Sequence, residues 1–143
     1  MTNFYQLAEV PPWIAVVDDD PFVLTALYIL LRASGYGARA FASAQHFLTA
    51  LSDGLPECLI TDLQMPEMTG LELHQCLKSR GIQIPTIIIS GQDDGGVRKR
   101  CESAGVIAFL SKPIEDIALF AAIDDARRKC DQAAKSQSYV PKR

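Results

Sequence analysis

The chain has 143 residues, of which 48% are hydrophobic and 22% charged, with a net charge of −3; at roughly 100 to 200 residues per domain this is one domain with its own core, and disorder throughout is excluded. No run reaches the ~18 consecutive apolar residues of a membrane span, and the first basic residue is Arg32, so no charged n-region of a secretory signal is present. The acidic balance gives no general attraction to nucleic acid or anionic lipid, and a soluble cytoplasmic protein is expected.

Residues 1–12 read as an extension ending in Pro11-Pro12. The continuous apolar run at 13–17 predicts a strand buried on both faces, as in a parallel sheet. A helix follows, with Asp20 as N-cap, Pro21 in its first turn, Val23, Leu27, Leu30 and Leu31 at helical spacing, and Gly35 at its end. Residues 37–41 predict the second strand, after which Ser43 caps a helix reaching Leu51 with Phe47, Leu48 and Leu51 on one face. The third strand is 58–61. The third helix, from Thr69 or Gly70 to Ser79, turns Leu73, Cys76 and Leu77 inward and stops before Gly81. Residues 86–90 form the fourth strand. The fourth helix, within 94–104, is expected to start late, near Val97, because Gly95 and Gly96 each cost about 1 kcal/mol relative to alanine. The fifth strand is 106–110, and the fifth helix runs from Glu115 to about Lys129 on a stripe of Ile114, Ile117, Ala118, Ala121 and Ala122. Residues 131–143 read as a flexible polar tail, which leaves 13–130 as the folded domain.

Strand and helix alternate five times, which predicts an α/β doubly wound sheet with right-handed crossovers. The cysteines (Cys58, Cys76, Cys101, Cys130) are widely spaced without a CxxC pair, so they read as small, mostly buried apolar residues rather than zinc ligands or a disulfide framework. His46 and His74 fall within helices and read as surface residues without a catalytic part.

In an open parallel sheet, ligands bind beyond the carboxyl ends of the strands, and those ends carry the chemistry here. Asp18, Asp19 and Asp20 follow the first strand, Asp62 the third, Ser90 ends the fourth, and Lys112-Pro113 lies just past the fifth. Carboxylates crowded in a partly buried cleft repel one another, so a bound cation is expected at Asp18 and Asp19, with Asp20 serving as the helix cap. Oxygen ligands in small number, with a phosphoryl group expected beside them, suit Mg²⁺.

The segments 16–21 (VVDDDP), 60–70 (ITDLQMPEMTG), 89–91 (ISG) and 109–113 (FLSKP) occur in order, each at a strand end. Together they resemble the receiver domain of two-component response regulators over about residues 13–129. The resemblance implies a flavodoxin-like (βα)5 sheet of five parallel strands in the order 2-1-3-4-5. It makes Asp62 the phosphoacceptor, attacking a phosphohistidine on a sensor histidine kinase or phosphotransfer protein. It makes Asp19 the direct Mg²⁺ ligand together with Asp62, Asp18 a helper, often through water, and the Gln64 backbone carbonyl the completing ligand. Ser90 matches the switch hydroxyl and Lys112 the lysine that pairs with the phosphoryl group; Pro113 matches a proline after a cis peptide bond. Phe109 matches the switch aromatic, which by resemblance turns from an outward to an inward rotamer on phosphorylation and changes the surface across the fourth helix, fifth strand and fifth helix. Charge neutralisation by a metal and an ammonium is what phosphoryl transfer needs from a protein.

The departures are a serine switch followed by Gly91, Phe109 in place of the frequent tyrosine, Ile114 in place of phenylalanine, and an acidic, glycine-rich stretch at 92–96. The expected function is a phosphorylation-controlled signalling module rather than an enzyme, of the stand-alone type, since the stretch after the fifth helix is too short for a helix-turn-helix unit. Its effect would pass through a surface to a downstream protein, with a homodimer through the fourth helix, fifth strand and fifth helix as one route, and without direct nucleic-acid contact or membrane insertion. A constitutive interaction module of the same fold is the alternative. An aspartyl-phosphate phosphatase would want a second aspartate where Gln64 stands. A flavin carrier would meet repulsion from Asp18-Asp19-Asp20.

Overall fold

The computed structural model describes residues 11–91 and 95–138, with backbone alone over 130–138. The extension at 1–10, the acidic residues 92–94 and residues 139–143 lie outside it. Five strands, β1 (Trp13–Val17), β2 (Gly37–Phe41), β3 (Cys58–Asp62), β4 (Thr86–Ser90) and β5 (Ala108–Ser111), form one parallel sheet in the order β2-β1-β3-β4-β5. The helices are α1 (Pro21–Ala33), α2 (Ala44–Ala50), α3 (Gly70–Ser79), α4 (Gly95–Ser103) and α5 (Asp116–Ser138).

The continuous apolar runs resolve into two faces, because successive strand residues point to opposite sides. Ile14, Val16, Cys58, Ile60, Ile87 and Ile89 face α1 and α5, where Leu27, Leu31, Leu119 and Ile123 meet them. Ala15, Val17 and Leu59 face α2 and α3 through Phe47, Leu48, Leu73 and Leu77. Ile88 packs with Cys101 of α4 and with Leu63 and Phe109. Side-chain caps fix where the helices start: Asp20 Oδ1 accepts from the Phe22 N–H at 2.9 Å, and Ser43 Oγ from His46 N–H at 3.1 Å. Thr69 and Glu72 form a reciprocal capping box.

Several boundaries depart from the sequence expectation, each for a local reason. The α2 helix ends at Ala50, and Leu51 opens a short 3-10 turn closed by Gly54. The β5 strand starts at Ala108 rather than 106, because the Val106 N–H bonds back to the Cys101 carbonyl and finishes the α4 cap. The α4 helix starts at Gly95, ahead of Val97. The α5 helix continues to Ser138, where a flexible tail from 131 was expected; Gln132, Ala133, Ala134 and Lys135 are good helix formers and no glycine or proline interrupts them. Its inward stripe is Leu119, Ala122, Ile123 and Ala126, at i, i+3, i+4 and i+7, whereas Ile117 is 84% exposed and Ala121 exposed.

His46 is exposed, as expected, but His74 is buried. Its Nδ1 lies 2.9 Å from Thr86 Oγ1, and its Nε2 donates to the Ala104 carbonyl at 3.0 Å. Burial lowers its pKa. Cys58 and Cys101 are buried and Cys76 half-buried, all as free thiols; the Cys130 side chain lies outside the described residues.

Candidate functional site

The parallel order brings the carboxyl ends of β1, β3, β4 and β5 to one rim. Asp18 follows Val17, Asp62 ends β3, Ser90 ends β4 opposite Ser111, and Lys112 follows Ser111. Asp18, Asp19 and Asp62 each offer a carboxylate oxygen within 4.8 Å of the others; Asp18 and Asp62 are buried and Asp19 is exposed. Lys112 Nζ lies 3.2 Å from Asp62 Oδ1 and 3.9 Å from Asp18 Oδ2. Ser90 is fully buried, and its carbonyl accepts from the Lys112 N–H at 2.9 Å, which ties the lysine backbone to the end of β4. The Lys112–Pro113 peptide is cis. Gln64 is exposed on the loop two residues beyond Asp62.

Asp18 carries the tension of the site. Its Oδ1 accepts from the Asp20 N–H at 2.9 Å, while its Oδ2 is buried without a hydrogen-bond partner. Burial pushes its pKa up to about 6, against the lowering effect of the Asp20 N–H, and the Asp62 charge adds to the rise. Burial also raises Asp62, opposed by the Lys112 ammonium. A buried carboxylate oxygen without a donor, beside two more carboxylates, is what a hard divalent cation relieves. The donor set therefore fits a magnesium ion, with Asp18, Asp19 and Asp62 as the available ligands.

Gly70, read from the sequence as a helix start and as the end of the ITDLQMPEMTG segment, packs directly against the Asp62 backbone. Its N–H bonds to the Leu63 carbonyl at 3.0 Å, and a Cβ here would run into the Asp62 carbonyl oxygen. Its place in the ITDLQMPEMTG segment was the available signal, but the steric reason needs the folded loop. Gly70→Ala is expected to cost about 1 to 3 kcal/mol, as overpacking against backbone does, and to shift the Asp62 amide resonance; chemical denaturation and NMR would check both.

Phe109 departs from its expected outward pose. The ring is buried, packs with Leu63, Ile88 and Cys101, and has the Arg98 guanidinium 4.7 Å from its centroid. The ring fills the space between Leu63, Ile88 and Cys101 beneath the Arg98 guanidinium, a residue that sequence reasoning passed over.

A five-stranded parallel sheet in this order, with an aspartate cluster and a lysine on its carboxyl rim, defines a flavodoxin-like α/β protein of the CheY-like kind. Residues 14–124 match the response regulator receiver domain model, and the chain belongs to that family, which signals rather than catalyses. The transcriptional regulatory protein FixJ of Bradyrhizobium diazoefficiens is 36% identical over 127 residues, covering 89% of this chain and 62% of the relative. The response regulator protein TodT of Pseudomonas putida is 40% identical over 139 residues, covering 97% and 61%. The crystal structure of FixJ-N superposes with a TM-score of 0.77 at 33% identity, over 84% of this chain and 96% of that one. Full-length FixJ from B. japonicum superposes with a TM-score of 0.80 at 35% identity, over 91% and 64%. The chain thus spans about three fifths of the length of these curated relatives. Among the described residues, no helix is long and apolar enough to cross a membrane.

Proposed function

We propose that the chain is a phosphorylation-controlled receiver in which Asp62 takes a phosphoryl group from a phosphohistidine on a sensor histidine kinase or phosphotransfer protein. The observation that carries this reading is the placement of Lys112 Nζ, 3.2 Å from Asp62 Oδ1 and 3.9 Å from Asp18 Oδ2, the latter buried without a hydrogen-bond donor. In the reaction a new bond forms between an Asp62 carboxylate oxygen and phosphorus, the phosphorus–nitrogen bond breaks, and the imidazole leaves. The attacking group must be ionised, so the ammonium of Lys112 counters the burial that would protonate it. Asp19 and Asp62 would hold Mg²⁺, with Asp18 helping and the Gln64 carbonyl completing the ligand set. When bound, the ion supplies positive charge to the transferring phosphoryl oxygens. Lys112 then pairs with the new dianion and Ser90 donates its hydroxyl to it.

The phosphorylated state acts through the surface of α4, β5 and α5 on a downstream protein, in the cytoplasm. Acetyl phosphate with Mg²⁺ is expected to add one phosphoryl group to the chain by intact mass, and Asp62→Asn to abolish the addition. Labelling that persists in the Asn variant would place the acceptor elsewhere.

A further inference from the structure

The α4 helix is held to the rest of the protein by few apolar contacts. Of its residues only Cys101 is buried; Val97 and Arg98 are half-buried, and Gly95, Gly96, Lys99 and Arg100 are exposed. In the run Arg98-Lys99-Arg100, two cations stand in water while the first is partly withdrawn from it. Withdrawing a guanidinium from water is unfavourable unless it is paired, and Arg98 finds two partners on one residue. Its guanidinium lies 4.7 Å from the centroid of the Phe109 ring, and its Nη1 donates to the Phe109 carbonyl at 3.3 Å. A planar guanidinium lays its face on a ring while its edge donates to a carbonyl; an ammonium can sit over a ring but has no face to stack. At the other end of α4, the Ala104 carbonyl accepts from His74 Nε2 at 3.0 Å and from Lys78 Nζ at 2.9 Å, both on α3. The helix is therefore tied to α3 at its C-terminal end and to β5 near its N-terminal end.

We propose that Arg98 is the positioning residue that holds the Phe109 ring buried in the unmodified chain and, through that ring, fixes the first turns of α4 against β5. Phe109 pairs with Ile88 in the ladder whose next rung but one is Ser90 with Ser111, so the ring, the arginine and the end of β4 are mechanically linked. The consequence for signalling rests on the function proposed above: because the ring is already inward, phosphorylation would act on the attachment of α4, and Arg98 is the contact to be released. The physical claim about the unmodified chain does not need that function.

Hydrogen exchange by NMR tests it on the unmodified full chain. Arg98→Met keeps the stem and the helix propensity but removes the cation and its donors. Amides at 97–103 are expected to exchange about tenfold faster, with α1 unchanged as internal reference, and the Phe109 ring signals to move. In a Phe109→Leu background the same substitution is expected to have a clearly smaller effect, since the ring contact is already gone while the residue 109 carbonyl still accepts from Arg98. Arg98→Lys should fall between wild type and Arg98→Met. Unchanged α4 exchange in Arg98→Met, or an undiminished effect in the Phe109→Leu background, would overturn the proposal. Acetyl phosphate labelling of Asp62 is expected to survive in Arg98→Met; absence of labelling in the wild type would instead defeat the phosphoacceptor reading and leave the exchange result to decide the role of Arg98.

Discussion

In the absence of Mg²⁺, the chain is expected to lose about 3 kcal/mol of stability through Asp18 as the pH rises from about 4 to about 6. The cause is the buried carboxylate, whose Oδ2 has no hydrogen-bond donor and whose pKa in the folded chain is about 6 against an ordinary value of 3.8. Below both values the group is protonated whether the chain is folded or unfolded, and its contribution is fully present. Between them only the unfolded chain releases the proton, so rising pH favours unfolding; above about 6 both forms are ionised and the loss is complete. Asp62, also raised by burial, acts with the same sign. His74 acts oppositely: its lowered pKa gives stability above its ordinary value of 6.5 that is lost as the pH falls.

Denaturation curves of wild type and Asp18→Asn in a chelator, from pH 4 to 8, separate these contributions. The variant should be the more stable of the two at pH 7 and lack the Asp18 part of the slope. Adding Mg²⁺ at pH 7 should stabilise wild type by mass action and the variant less. Parallel profiles for the two proteins would show that Asp18 does not bear this cost. The same burial that makes the metal-free site unfavourable would favour a divalent cation there, so stability lost here is tied to the function proposed.

What could be read from the sequence was whatever depends on local chemistry. The strand cores survive because Ile14 to Val17, Leu59 to Ile60 and Ile87 to Ile89 are apolar without interruption, and the starts of α1, α2 and α3 because Asp20, Ser43 and Thr69 cap them. The strand ends announced Asp18, Asp62, Ser90 and Lys112, since a parallel sheet sends all such ends to one rim. Tertiary facts were not legible. The phase of α5 was misread in part: Ile114 and Ala122 do meet the core, but Ile117 is as apolar as Leu119 and Ile123, and only the sheet decides which stripe is covered. The burial of His74 depends on Thr86 and Ala104, distant in sequence, reaching it. Arg98 drew no reading, since nothing in its sequence neighbours foretells that β5 brings Phe109 beneath it.

Removing the Lys112 ammonium is the other change with a large expected effect. Lys112→Met keeps most of the stem and its packing but leaves Asp62 and Asp18 buried together without the cation that lies 3.2 and 3.9 Å from them. Breaking a fully buried pair costs about 3 to 5 kcal/mol. Lys112 is 29% exposed, and solvent screens part of the interaction, so a loss of about 2 kcal/mol at pH 7 is expected. Two responses distinguish electrostatics from lost packing. Lowering the pH toward 5 should restore part of the stability, because the freed carboxylates take up protons more readily, and Mg²⁺ should restore part of it at pH 7. Asp18→Asn should recover more stability in the Lys112→Met background than it adds to wild type, since the repulsion with Asp62 is no longer offset by the ammonium; an equal gain in both backgrounds would mean that the lysine acts on Asp62 only. Acetyl phosphate labelling of Asp62 in Lys112→Met, measured by mass, should be slower than in wild type, because the acceptor carboxylate has lost the cation that keeps it ionised. Labelling at the wild-type rate would remove Lys112 from the chemistry and leave it a structural tie between β5 and the end of β4.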